Sequence, residues 1–199
     1  MQPSNEGNSS EIAVIGMAGK FPGANSVDAF WEVLRSGQET VARITREEWA
    51  KEAGFHPAFL DRPDAVFARP RIEGADLFDA AFFGYTPREA QILDPQQRLF
   101  LECSWEALEN AGYDSERFAG SIGVAAGVSQ SSYLINYLQW DREINQDMGT
   151  LKIGLGNMND AMATRVAYKL NLRGAAYAVQ SFCSTSLVAV HLACQSLLN

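Results

Sequence analysis

The chain has 199 residues, 47% of them hydrophobic, enough length and apolar content for one substantial globular domain with its own core. Its formal net charge of -8 and isoelectric point near 4.8 exclude the broadly basic surface that nucleic acid or an anionic membrane demands. Three widely spaced cysteines, Cys103, Cys183 and Cys194, with no charged-then-apolar leader ahead of them, point to a reducing cytoplasm and not to a secreted disulfide framework.

Residues 1–10, MQPSNEGNSS, are polar without apolar periodicity and are expected to form a flexible lead to a domain spanning residues 11–199. Ile12 to Ile15, apolar and β-branched up to Gly16, predicts a buried strand. Gly16, Gly19 and Gly23 in the loop that follows lack the G-x-G-x-x-G spacing of a dinucleotide loop and read as a turn. Ser26 is placed to cap a helix through Asp28, Phe30, Trp31 and Leu34 that stops at Gly37. From Thr40 to Phe83 the prolines Pro57, Pro63 and Pro70 interrupt any period, and a long surface excursion is expected, with His56 a surface histidine within it.

Thr86-Pro87-Arg88-Glu89 is a capping box with proline at the first helical position, and Asp94-Pro95 repeats the cap-plus-proline device. From there Leu99, Phe100, Cys103, Ala107 and Leu108 recur at helical spacing until Gly112, which assigns Cys103 to the core. Ile122 to Ala126 predicts a small-residue strand, and Asn157 or Asp160 starts a helix through Ala163, Val166 and Leu170. After a turn at Gly174, Ala175 to Val179 predicts a buried strand and Ser184 to Leu198 a helix apolar on nearly all sides. Strands alternating with helices give an α/β class. From Gly174 to Asn199 there is no Asp, Glu, Lys or Arg, yet Gln180, Ser181, His191 and Gln195 make the stretch too polar for a membrane span. Deep burial inside protein is the expectation.

The segment VQSFCSTSLVAVHLA sets Cys183 at the turn from a buried strand into a buried helix. A helix N-terminus stabilises a thiolate, whereas apolar surroundings disfavour it, and the sequence leaves the balance open. In either case a thiol here can take an acyl group by thioester exchange, with backbone N–H groups at the same helix end placed to hold the oxyanion. A buried structural cysteine is the plain alternative. Cys194 lies eleven residues further along the helix, roughly 16 Å away and beyond disulfide reach. His191, roughly 12 Å along the same helix, is too far to act as a direct base and reads as packing. No second Cys or His stands at metal-ligand spacing, so no metal is expected.

CSTSLVAVHLACQSL after a strand closely resembles the nucleophile segment of the ketosynthase domains of modular polyketide synthases. IAVIGMAGKFPGA, FDAAFFGYTPREAQILDPQQRLFLECSWEALENAGY, IGVAAGVS and GNMNDAMATRVAYKLNLRG are similar to the same family in the same order, so the resemblance covers residues 11–199. It implies the first half of a duplicated thiolase-like α-β-α-β-α core. It also implies that Cys183 receives an acyl chain from the phosphopantetheine arm of an acyl carrier protein and adds it to a malonyl-type extender with loss of carbon dioxide. No cofactor bound directly to the chain is expected. A homodimer, the remaining half of the ketosynthase domain and neighbouring synthase domains are the implied partners.

Two departures qualify the resemblance. The family's catalytic histidines, supporting lysine and second oxyanion-hole loop lie downstream of Asn199, so this chain is expected not to condense substrates unless another chain supplies them. Gln180-Ser181-Phe182 stands where many relatives carry an acidic residue, a threonine and an alanine, and the Phe182 ring is expected to narrow or reshape the acyl pocket beside Cys183. The rival readings are a ketosynthase that passes its acyl chain on without elongation, a half-domain serving as a dimerisation or docking module, and, more distantly, a cysteine hydrolase. Arg69 and Arg71 are the candidates for a local basic patch facing an acidic carrier protein.

Overall fold

The computed structural model describes residues 11–51 and 60–199; the expected lead at 1–10, together with His56 and Pro57, lies outside the described residues. The helix after Ser26 is α1 (Val27–Ser36). The Ser26 hydroxyl accepts from the Ala29 N–H at 3.1 Å, and Gly37 ends the helix at φ +65°. The described parts of the following excursion hold regular elements that its prolines do not suggest. β1 (Val41–Arg43) pairs antiparallel with β2 (Ala68–Pro70), and α2 (Arg46–Ala50) carries a Thr45–Glu48 capping box and buries Trp49. Proline is tolerated at position 70 because a two-stranded ribbon is all edge.

α3 (Pro87–Ile92) and α4 (Pro95–Ala111) begin where their caps predict. The Thr86 hydroxyl accepts from the Glu89 N–H at 3.2 Å while the Glu89 carboxylate accepts from the Thr86 N–H at 2.9 Å, and Asp94 accepts from the Gln96 N–H at 2.8 Å. The apolar face of α4 sets the main core: Leu101, with no exposed surface, packs with Phe83, Val166 and Leu170. Burying such a side chain contributes about 2 kcal/mol.

The strand expected at Ile12 to Ile15 does not form. The segment runs along α4, where a Cβ on Gly16 would lie 2.6 Å from the Ala107 carbonyl oxygen and the Met17 N–H donates to Asn110 Oδ1. Val14 and Ile15 stay exposed, because among the described residues no strand lies alongside to complete a ladder.

β3 (Val124–Gly127) is followed by α5 (Ser132–Asn136), a 3-10 turn at Leu138–Trp140, α6 (Arg142–Asn157) and α7 (Ala161–Lys169) before β4 (Ala176–Val179) and α8 (Thr185–Leu198). Of these, α5, the 3-10 turn and α6 have no counterpart among the elements expected from sequence. Asn157 ends α6 instead of capping a helix, and its buried amide donates to the Ile92 and Ile153 carbonyls, both at 2.8 Å. Ile92, Leu138, Ile144 and Ile153 form a second core there, and Arg88 ties α3 to α6 through Glu143 and Asp147.

β3 and β4 pair in parallel, Val124 opposite Ala176 and Gly127 opposite Val179. The pair starts tightly, since a Cβ on Gly174 would come within 2.6 Å of the Gly123 nitrogen. Ala126 and Val124 pack on Met162 and Ala163 of α7, whereas Gly127, one step along the strand, meets Thr185 of α8. Side chains alternate across a strand, so helices meet both faces of the pair, as an α/β layer arrangement requires.

The deep burial expected for residues 174–199 is corrected by the structure. Only Ala189 of α8 is buried, while Leu187, Val190 and Leu197 are 75%, 59% and 72% exposed. One side of α8 rests on β3 and β4, and its remaining apolar surface is open. Among the described residues no helix is long and apolar enough to cross a membrane.

Candidate functional site

The chain leaves β4 through a sharp elbow. Phe182, Cys183 and Ser184 form a single 3-10 turn that runs straight into α8, with Cys183 exposed at its centre. Phe182 adopts φ +52°, a left-handed conformation that costs a side-chain-bearing residue about 1–2 kcal/mol.

Hydroxyl groups hold that turn. Thr185 Oγ1 accepts from the Ser181 N–H at 3.0 Å and donates to the Phe182 carbonyl at 2.7 Å, so one hydroxyl bridges the elbow. The Ser184 hydroxyl donates to the Ser181 carbonyl at 2.8 Å, and the Gln180 amide donates to the Val128 carbonyl at 3.1 Å, joining the exits of the two strands. Ser184 occupies the cap position of α8, yet its hydroxyl turns back into the elbow and no side chain caps the helix.

Beside the elbow lies a groove of about 1080 Å³ at the carboxyl ends of β3 and β4, the end of a parallel sheet where ligands characteristically bind. Cys183 and Phe182 line it on one side; Phe100 and Cys103 of α4 line it on the other. Cys103, expected in the core, is therefore half-buried against this groove: α4 turns its Leu101 face inward and its Phe100–Cys103 edge toward the sheet ends. Burial, seconded by the nearby Glu106 carboxylate, pushes the Cys103 thiol up and keeps it protonated. Lys20 also reaches the groove and pairs with Glu106 at 2.9 Å; that hydrogen bond raises its own ammonium. The sequence gives no sign of Lys20 and Cys103 at the groove, because nothing local brings residue 20 to residue 106.

His191 does not pack as expected; it is exposed on the open side of α8. The Arg69 guanidinium is half-buried over the Trp49 ring, 5.7 Å from its centroid, so it serves the small β1–β2 unit and does not present a free basic patch.

Residues 9–199 match the family described as beta-ketoacyl synthase, N-terminal domain. The chain is 48% identical over 194 residues to a component of the phenolphthiocerol/phthiocerol polyketide synthase of Mycobacterium tuberculosis, covering 94% of this chain and 13% of that protein. It is 34% identical to polyketide synthase PksL of Bacillus subtilis, with 96% of this chain and 4% of the relative covered. Among solved structures, ketosynthase twelve of the bacillaene polyketide synthase from Bacillus amyloliquefaciens superposes with a TM-score of 0.78 at 35% identity, over 94% of this chain and 32% of that one. The ketosynthase of module 1 of the bacillaene synthase from the same species also gives 0.78, at 33% identity, over 96% of this chain and 33% of that one. The chain thus spans about a third of the length of these solved ketosynthases. The parallel pair with helices on both its faces has the thiolase-like architecture of those domains, and the chain belongs to the beta-ketoacyl synthase family as the N-terminal part of a polyketide-synthase ketosynthase.

Proposed function

We propose that Cys183 is the acyl-accepting nucleophile of a condensing enzyme of polyketide assembly. The observation that carries this reading is the exposed Cys183, held on an elbow at the carboxyl end of the parallel pair and lining a groove large enough for an extended thioester. In the first step Sγ attacks the carbonyl carbon of an acyl thioester on a carrier protein's phosphopantetheine arm. The new C–S bond forms as the pantetheine sulfur leaves and takes a proton. The Cys183 N–H is the donor for the oxyanion, since the Ser184 and Thr185 N–H groups already donate to the Ser181 and Phe182 carbonyls. In the second step loss of carbon dioxide from a malonyl-type extender leaves a carbanion that attacks the acyl carbonyl, forming a carbon-carbon bond and releasing the Cys183 thiolate.

Cys103 lines the same groove but is half-buried on α4, whereas Cys183 stands exposed on the elbow, which favours Cys183 as the acceptor. Phe182, 98% exposed beside Cys183, shapes the acyl pocket with its ring. The exposed faces of α8 and of residues 12–17 receive the remaining half of the ketosynthase domain and the partner of a homodimer, within a larger cytoplasmic synthase. Among the described residues no histidine lines the groove, so the bases for decarboxylation come from that other half.

The test is incubation of the chain, alone and extended by the rest of its ketosynthase domain, with a series of acyl thioesters, followed by intact mass. A single adduct on the extended protein, lost in Cys183→Ala and shifted toward bulkier chains in Phe182→Ala, is expected. Absence of any adduct on the extended, folded protein would overturn the reading. It would favour a second one, supported by the open apolar face of α8: a half-domain acting as a dimerisation or docking module. An acylated protein that never elongates its chain would be a non-elongating ketosynthase.

A further inference from the structure

The elbow contains a device that neither the fold nor the acyl-transfer reading requires by itself. Phe182 sits at φ +52° although it is no glycine, and at 98% exposure it gains nothing from packing in this chain. Something else must hold the turn in that conformation. The groups positioned to do so belong to Thr185: its hydroxyl accepts from the Ser181 N–H before the strained residue and donates to the Phe182 carbonyl after it. The same side chain is seated by its methyl group, because a Cβ at Gly127 would lie only 2.0 Å from Thr185 Cγ2 while its next neighbours, the Val179 carbonyl oxygen and Thr185 Cβ, would stand at 3.3 and 3.4 Å.

We propose that Thr185 is a positioning residue for Cys183, clamping the left-handed Phe182 turn with its hydroxyl, and that Gly127 at the end of β3 is glycine to let the clamp close. This rests on the reading of Cys183 as the acyl acceptor. A turn released to negative φ rotates the peptide that precedes Cys183 and carries the thiol out of the line from the groove. The two groups of Thr185 have separate duties: the hydroxyl fixes the elbow, and the methyl sets how close β3 can come.

That separation makes the proposal breakable. Four variants of the full chain are compared, Thr185→Ser, Thr185→Val, Gly127→Ala and the double variant Gly127→Ala/Thr185→Ser. Each is treated with an acyl-N-acetylcysteamine thioester and, separately, with iodoacetamide, and the rate at each cysteine is read by peptide mass. Thr185→Ser keeps the hydroxyl and reacts at Cys183 within about threefold of the parent, whereas Thr185→Val loses at least about tenfold at Cys183 alone. Gly127→Ala falls as far as Thr185→Val, and adding Thr185→Ser restores it, since removing Cγ2 removes the 2.0 Å clash. Cys103 and Cys194 keep their rates throughout and report that the fold is intact.

Equal Cys183 rates in Thr185→Val and Thr185→Ser overturn the clamp and leave the acyl-acceptor reading standing. A parent chain, extended by the rest of its ketosynthase domain, that takes iodoacetamide at Cys183 but no acyl group fails the acyl-acceptor reading, while the alkylation rates still decide the clamp. Should Thr185→Val expose Cys103 by unfolding, the Gly127 pair decides it alone: no recovery in the double variant overturns the proposal.

Discussion

Two long helices flank the groove, α4 and α8, and they arrive at it in opposite ways. α4 begins on the Asp94 cap and Pro95, turns one face into the core through Leu101, and offers the edge formed by Gln96, Leu99, Phe100 and Cys103 to the groove. α8 begins on a strained, uncapped turn and leaves Leu187, Val190 and Leu197 in the open. The first helix is finished by this chain; the second carries apolar surface that the described residues leave uncovered. The difference separates scaffold from elbow: the capped element forms the wall, and the turn that carries Cys183 into the other element is fixed by side-chain hydroxyls and not by burial.

The sharpest way to break this comparison is to truncate one leucine in each helix. Leu101→Ala removes a side chain with no exposed surface and is expected to cost about 2–5 kcal/mol. Leu187→Ala, at 75% exposure, is expected to stay within about 0.5 kcal/mol. Urea unfolding of the chain reads both. Similar losses in the two variants would show that α8 is covered in solution, and a concentration dependence of the Leu187→Ala effect would identify a second copy of the chain as the cover.

The second, smaller contrast lies at the helix starts. Asp94→Ala removes a buried cap that accepts from the Gln96 N–H, and is expected to cost about 1–2 kcal/mol. Ser184→Ala removes a hydroxyl that caps no helix N–H and bonds back to Ser181, at its carbonyl and its hydroxyl, so its cost is expected to stay below about 1 kcal/mol. Equal costs in thermal unfolding would mean that Ser184 supports α8 itself and not just the elbow.

What the sequence makes legible follows the range of the interactions. Caps and glycine stops are local, so α1, α4 and α8 lie within a residue or two of their expected ends, α3 begins at its expected cap, and the order strand, elbow, Cys183, helix is plain. The α/β class follows from that order, and the motifs carry the family. Burial is misjudged where composition stands in for partners: α8 and Ile12 to Ile15 are apolar enough to be core, but apolar character states a demand for cover and not whether this chain meets it. α6 escapes a periodic reading because Gly149 at φ +74° kinks it and splits its period, although Asp141 caps it by accepting from the Ile144 N–H at 3.0 Å. The Thr185 clamp depends on the close approach of Gly127 across 58 residues of chain, a contact that no local pattern contains.

The smallest expected effect concerns the capping box of α3, the kind of start that α8 lacks. The Thr86 N–H, and after it the Thr86 hydroxyl, hold the Glu89 carboxyl below its ordinary range. A carboxyl depressed in the folded state contributes stability that is fully present above its unfolded value, about 4.3, and is lost as pH falls through the folded value. The group is fully exposed, so solvent screens the contribution and keeps it small. Glu89→Gln should therefore lower the melting temperature slightly at neutral pH, and the gap between parent and variant should close as the pH drops below about 4. Glu48, depressed in the same way by the Thr45 N–H, should behave alike in Glu48→Gln. A gap that persists unchanged into acid would show that the glutamate supports the start of α3 as a hydrogen-bond partner of Thr86 in either charge state and not through its charge.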